Sequence, residues 1–435
     1  MSDYMFMLEN HLTADQARAL AEVQSAAVQA GVSLYLTGGA VRDMLGGFPI
    51  RDLDFVIEGN ALKLAKDLEK QGKAEIVEID DNRKSAEMLF PGGVTVQMGM
   101  AHEERYTKPG GKAHVTPSTI YEDLKCRDFT VNALALSLNK ASRGLLLDPA
   151  NGLAELERKE LRAVGNYALY DSPIRLFRMI RFKVRMGYQI AERTQLQYEN
   201  ARLAEVEKFI TPAQLLTELE AIAHEPSVGD ILQALDETKL LTLVSPILTG
   251  PKLNLVGLAK LQKARQLLPF GIDLPVDYVS LMFYFLTEKL TPKERAAFIK
   301  GLGLSKKQVD AWQKLEGHAK KLEKELKSAK LQKPSMVYQT VSKAPGELIL
   351  FLLTKSSERL VTDRLKNYLQ KYIFTAQEVT DQQVEAAGAK AGTPKFQKLK
   401  ELLIKKALDA RPKKIEPVPE VLPPVAATHG AHGRR

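Results

Sequence analysis
The pattern of apolar and polar positions divides the chain in two. Up to about residue 195, short apolar runs alternate with helical spacings; beyond it, nearly every segment has the period of a helix. Residues 11–31 predict a helix with Thr13 as N-cap and Gly31 as its stop. Residues 34–37 predict a strand, Gly38-Gly39 a turn that lets backbone approach a ligand, and residues 40–45 the start of a helix. Asn60 is placed to cap a helix over 61–71, and 74–79 and 93–98 read as further strands. The expected fold is therefore α/β at the N-terminus, a small mixed sheet with helices packed on it, followed by an all-α C-terminal half.

Several segments carry polar groups in suggestive places. In a strand, Asp52 and Asp54 would face the same way with backbones roughly 6.6 Å apart, which suits two carboxylates sharing divalent metal ions. The N–H groups of the Gly38-Gly39 turn suit a phosphate. Residues 99–120 contain Pro109-Gly110-Gly111 and no clear period, so they predict a long loop, either a plain connection or a functional one. In 121–138, Arg127, Asp128 and Asn132 would cluster on one side of a helix; they could hold a triphosphate and a ribose hydroxyl, or simply cap the helix. Residues 171–188 predict a helix with Pro173 in its first turn, Ser172 or Asp171 as cap, and Arg175 and Arg178 on one face. Thr211, Thr291 and Ser305 mark later helix starts.

Composition narrows the classes. No run reaches the roughly 20 apolar residues of a membrane span, and residues 1–16 lack the order of a signal peptide, so a cytoplasmic protein with no membrane partner is expected. One cysteine, Cys126, excludes an internal disulfide framework, and seven scattered histidines argue against structural zinc. A net charge of +9 and pI near 9.2 suit a polyanionic partner. The charge concentrates between Lys395 and Lys414, with eight Lys/Arg against two acids, including Lys395, Lys398, Lys400, Lys405 and Lys406. The proline-rich residues 415–435 predict a disordered tail. Oligomeric state is left open.

Taken in order, TGGAVRDMLGG with RDLDFVIEG, then EDLKCRDFTVNALAL, LLLDPANGLAELERKELRAVG and DSPIRLFRMIRF, the chain resembles the class II, bacterial-type tRNA nucleotidyltransferase and poly(A) polymerase family. The resemblance spans about residues 30–250. It implies a nucleotidyltransferase head over 1–140, a helical nucleotide- and RNA-binding neck over 141–270, and a helical RNA-binding body and tail over 271–414. It also implies an enzyme that adds CCA, or only its terminal A, to tRNA 3′ ends from CTP and ATP. The alternatives are a poly(A) polymerase and, on the same fold, a non-catalytic RNA-binding protein. By position, Asp52 and Asp54 would hold two Mg²⁺ ions, about 3.5–4 Å apart in such sites. Gly38, Gly39 and Arg42 would contact the triphosphate, and Arg127, Asp128 and Asn132 the triphosphate and ribose. Arg175 and Arg178, with Ser172, would face the base. The loop holding Glu104, Tyr106, Pro109 and Gly110 resembles the family's flexible loop, and Lys395, Lys398, Lys400, Lys405 and Lys406 would meet RNA. The chain departs from the family pattern at Ser172 and Gln97, each replacing a usual acid, and at His102 and Cys126, each replacing an arginine.

Overall fold
A computed structural model describes residues 4–269 and 274–410; the tail expected over 415–435 lies outside the described residues. Two helices, α1 (Tyr4–His11) and α2 (Ala14–Ala30), lead into the sheet. Thr13 and Gln16 form a reciprocal capping box on α2, and Gly31 closes it in the left-handed conformation. The chain continues as β1 (Ser33–Thr37), α3 (Gly38–Gly46), β2 (Leu53–Glu58), α4 (Ala61–Lys70), β3 (Glu75–Asp80), β4 (Ser85–Phe90) and β5 (Val94–Met100). A hairpin of β6 (His102–Arg105) and β7 (His114–Pro117) precedes α5 (Ile120–Lys125), β8 (Ala135–Ser137) and β9 (Leu146–Leu147).

Seven strands form one sheet in the order β3-β4-β5-β2-β1-β8-β9. Only β2 and β5 run parallel; every other pair in it is antiparallel. Alternation along β2 sends Leu53, Phe55 and Ile57 to one face, all buried, and Asp54 and Val56 to the other. On the second face Val56 packs with Ile120, Leu124, Ala133 and Ala135. That layer covers the middle of β2 and leaves its start, at Asp54, facing a cavity.

Three expectations are corrected. Residues 99–120 are not one loop, because the β6–β7 hairpin occupies most of them. Its strands carry polar residues held by side-chain hydrogen bonds, so no apolar alternation announces them. Residues 121–138 are not a continuous helix. Helix α5 stops at Lys125, a 3₁₀ turn spans Thr130–Asn132, and β8 follows; Phe129, Val131 and Ala133 to Leu136 are fully buried, and a segment apolar on all sides has no period to read. Residues 171–188 do not form one helix with Pro173 inside it. A short α6 (Gly152–Arg158), β10 (Glu160–Leu161) and α7 (Ala168–Asp171) come first, and α8 spans Arg175–Met186 with no side-chain cap. Strand β4 is an addition to the expected strands, although Ala86, Met88 and Phe90 alternate inward with Ser85, Glu87 and Leu89.

The described residues fall into two compact units. The first takes those of Met1–Gln266, Asp273–Ala319 and Pro345–Lys355, so the sheet is joined there by helices, three of which open on capping boxes at Thr211, Thr291 and Ser305. The second takes those of Leu267–Ile272, Lys320–Ala344 and Ser356–Arg435. One apolar cluster in it has Val379, Val384, Ala389 and Phe396 packed against Leu399, Leu403 and Ile404. No described helix is long and apolar enough to cross a membrane.

Candidate active site
A cavity of about 600 Å³ in the first unit gathers most of the residues singled out in the sequence. Strand β1 runs directly into α3 at Gly38, which adopts φ +64°; a Cβ there would lie 3.0 Å from Asp54 Oδ2, so the position requires glycine. The Gly39 backbone hydrogen-bonds the Asp54 carboxylate. Asp54 stands opposite Thr37 on β1 and Gln97 on β5, and Gln97 in turn stands opposite Glu87 on β4, to which its Nε2 donates at 3.0 Å. Asp52 lies just before β2 and opens to solvent. Burial raises the Asp54 carboxyl above its ordinary range, with Arg127 opposing and Asp52 adding to the rise. Among the described residues no group of three His, Cys, Asp or Glu side chains forms a closed metal site. Two carboxylates on an open cavity instead fit magnesium, which takes few protein oxygens and completes its shell with water and phosphate.

A continuous polar chain forms the next wall. Arg42 Nη1 donates to Asn132 Oδ1 at 2.6 Å, Asn132 Nδ2 donates to Asp128 Oδ1 at 2.9 Å, and Arg178 reaches Asp128 Oδ2 through Nη2 at 2.6 Å and Nε at 2.8 Å. Burial alone would raise Asp128, but Arg178 and Arg175 hold it well below the usual carboxylate range. Arg127 grips Asp123 at 2.8 Å and leans towards the Thr37 hydroxyl at 3.4 Å. The guanidinium carbons of Arg42, Arg178 and Arg181 lie 5.1, 5.3 and 4.6 Å from the Phe182 ring centre, so one aromatic ring steadies three cations.

The third wall holds Ser172, Arg175 and the hairpin. Arg175 donates to the carbonyls of Cys126 at 2.7 Å and Ala168 at 3.2 Å. Glu104 on β6 lines the cavity; its N–H donates to Cys126 Sγ at 3.3 Å, and its carboxylate accepts from Arg83 Nε and the Tyr106 hydroxyl, both at 2.7 Å, with His102 Nε2 at 3.4 Å. Burial works to raise Glu104, yet these partners bring it down to about 2, while burial and the carboxylate push Tyr106 up to about 12. Tyr106 therefore meets the cavity through Glu104. Pro109 and Gly110 sit beyond it at the hairpin tip, where the Gly110 N–H donates to the Asp171 carbonyl at 3.2 Å and its α-carbon packs so close to Phe209 that a Cβ would fall 2.7 Å away.

Arg181 and Glu225 go beyond the residues singled out in the sequence. Arg181 and Arg185 line the cavity with Arg175 and Arg178, and their spacing of three, three and four is one stripe of α8, a signal present in the sequence. Glu225 carries no such signal. It is 1% exposed and accepts from Arg181 at 3.0 Å and from Arg51 at 2.9 Å, with Arg185 at 3.7 Å. Arg185 also reaches the buried Asp43 at 2.7 Å; burial and then Arg42 push Arg185 below its ordinary value. The five candidate RNA-binding lysines belong to the second unit, on the helix Pro394–Asp409. Lys400 pairs there with Asp381 and Lys395 donates to the Gly388 carbonyl, whereas Lys398, Lys405 and Lys406 are exposed.

Residues 34–162, which contain the glycine turn, both aspartates and the Arg127–Asn132 wall, match the poly A polymerase head domain family. The sheet that carries the candidate site is therefore similar to that head domain. The A-adding tRNA nucleotidyltransferase of Aquifex aeolicus is 27% identical over 341 residues, covering 78% of this chain and 40% of that protein. The CC-adding tRNA nucleotidyltransferase of Deinococcus radiodurans is 35% identical over 209 residues, covering 47% and 53%. The chain is thus similar to curated tRNA nucleotidyltransferases, and it spans about half, or less, of the length of the two named here. The same fold occurs in a Thermotoga maritima CCA-adding enzyme complexed with tRNA, at a TM-score of 0.52 and 24% identity over 94% of this chain and 96% of that one.

Proposed function
We propose that the protein is a template-independent RNA nucleotidyltransferase that adds CCA, or its terminal A alone, to tRNA 3′ ends from CTP and ATP in the cytoplasm. The observation that carries this reading is the convergence on one cavity of the Gly38-Gly39 turn, Asp52 and Asp54, and the linked Arg42, Asn132, Asp128 and Arg178. In it, Asp52 and Asp54 would hold two Mg²⁺ ions, which would supply activation of the primer hydroxyl and charge neutralisation at the departing pyrophosphate. The glycine turn and Arg42 take the triphosphate, and Arg185, crowded by Arg42 and Arg51, gains from an anion nearby. Arg127, Asp128 and Asn132 orient phosphate and ribose, Arg175 and Arg178 lie on the base side, and the exposed lysines of Pro394–Asp409 bind the RNA backbone. The names of relatives that add A, CC or CCA support the reaction class and divide on the product.

The deciding experiment gives the protein three RNAs with CTP or ATP and Mg²⁺: tRNA lacking its end, tRNA ending in CC, and a generic RNA. CTP incorporation on end-less tRNA establishes CC or CCA addition, and A addition only to tRNA ending in CC establishes the A-adding activity. Ser172, in place of a usual acid, favours poly(A) synthesis as the second reading, and processive A addition to generic RNA would select it. Replacing both aspartates by asparagine should lower incorporation by several orders of magnitude and leave most RNA affinity in a filter-binding assay. If wild type and variant both bind RNA but neither incorporates, the protein is a binding module.

A further inference from the structure
The chain lacks an acid at position 172, yet the wall that holds Arg175 is not without one. Glu104 lines the same cavity with its side chain only 6% exposed. Cys126 joins the two groups: its Sγ accepts the Glu104 N–H and its carbonyl accepts Arg175 Nη2. Electrostatic proximity agrees, since Arg175 acts on the Tyr106 hydroxyl that donates to Glu104, and Glu104 acts on Asp171. The carboxylate is fixed: Arg83 and His102 approach Oε1, whereas Oε2 accepts from Tyr106 and keeps acceptor capacity.

We propose that Glu104 determines base specificity, its Oε2 accepting the exocyclic amine of cytosine or adenine beside the donating Arg175, a part that the Ser172 hydroxyl cannot fill as a fixed acceptor. The proposal rests on the nucleotidyl-transfer reading and names what that site selects. Cytosine N4 and adenine N6 both carry donors, while uracil O4 and guanine O6 are acceptors that a carboxylate repels. Burial sharpens the choice, because a wrong base leaves a buried acceptor facing an acceptor. The surrounding bonds give Arg83, His102 and Tyr106 a positioning role, holding Glu104 ionised and still.

The test is equilibrium dialysis of the full chain with labelled CTP, ATP, UTP and GTP in Mg²⁺. Wild type should bind CTP about tenfold or more tighter than UTP. Glu104→Gln, whose amide can donate to O4, should narrow that ratio about tenfold, and adding Ser172→Asp to it should restore the preference. Ser172→Asp alone, which does not disturb the Glu104 bonds, should leave the CTP:UTP ratio within about threefold, because an acceptor is already present. A CTP analogue lacking the exocyclic amine should bind wild type about tenfold more weakly than CTP. Discrimination unchanged in Glu104→Gln, or a tenfold rise in Ser172→Asp alone, overturns the assignment of Glu104 and leaves the nucleotidyl-transfer reading standing. Failure of wild type to bind any of the four nucleotides removes that reading and this proposal with it.

Discussion
Single residues here act through their partners. His102 shows this most directly: burial would lower its pKa, but Glu104, the Met100 carbonyl and Asp123 raise it above 6.5. Its contribution to stability is complete below 6.5 and is lost as pH rises through the higher folded value. Glu104 runs the other way. Its pKa falls from 4.5 to about 2, so its contribution is present above 4.5 and is lost as pH falls through about 2. An NMR titration of His102 should therefore give a midpoint above 6.5, and Glu104→Gln should shift that midpoint down; a midpoint unmoved by the substitution would separate the two groups. At this scale much is legible in the sequence. Asp52, Asp54, Gly38, Gly39 and Arg42 stand close together along the chain, and a turn plus alternating acids has few other physical readings. Glu225 is illegible, because an isolated acid in a helical half carries no mark of three arginines folding around it.

Elements bring these residues into register, and register makes its own prediction. Asp54, Gln97 and Glu87 form one row across β2, β5 and β4. In Gln97→Glu the row holds three carboxylates, and the Gln97–Glu87 hydrogen bond gives way to like-charge repulsion. Like charges directly opposite cost up to about 1 kcal/mol, so the metal-free variant should melt below wild type. Millimolar Mg²⁺ should raise its melting temperature more than that of wild type; equal responses to Mg²⁺ would place the 97 side chain outside the ion's reach. The elements themselves are unevenly readable. Capped helices announce themselves through Thr13, Asn60, Thr211, Thr291 and Ser305, each of which accepts the expected backbone hydrogen bond. The β6–β7 hairpin does not, since its order comes from Arg83, Glu104 and Tyr106 bonding to one another rather than from a buried face. Likewise 121–138 hides a helix end, a 3₁₀ turn and a strand behind uniform burial.

Across the whole molecule the net charge of +9 sets the terms on which a polyanion would bind. The exposed Lys398, Lys405 and Lys406 should each add to the salt dependence of RNA affinity, while Lys400, paired with Asp381, adds less. Replacing the three exposed lysines by alanine should reduce the slope of log affinity against log salt by about 0.7–0.9 for each phosphate left without its cation. The check is a salt titration by fluorescence anisotropy, and an unchanged slope would assign RNA binding to other cations.

The buried Glu225 has one more consequence. It joins Arg51, beside Asp52, to Arg181 and Arg185 on α8, so the stretch of chain proposed to hold the metals and the helix proposed to face the base share one internal anchor. Two segments fastened this way cannot open separately without uncovering a charge, and removing a partner from such a buried pair costs about 3–5 kcal/mol. Amides of β2 and α8 should therefore exchange with solvent deuterium at a common opening free energy, as one cooperative block. Glu225→Gln should split that block, with α8 exchanging faster than β2. The segments proposed to read the nucleotide and to transfer it would then be, in the native protein, a single unit of unfolding.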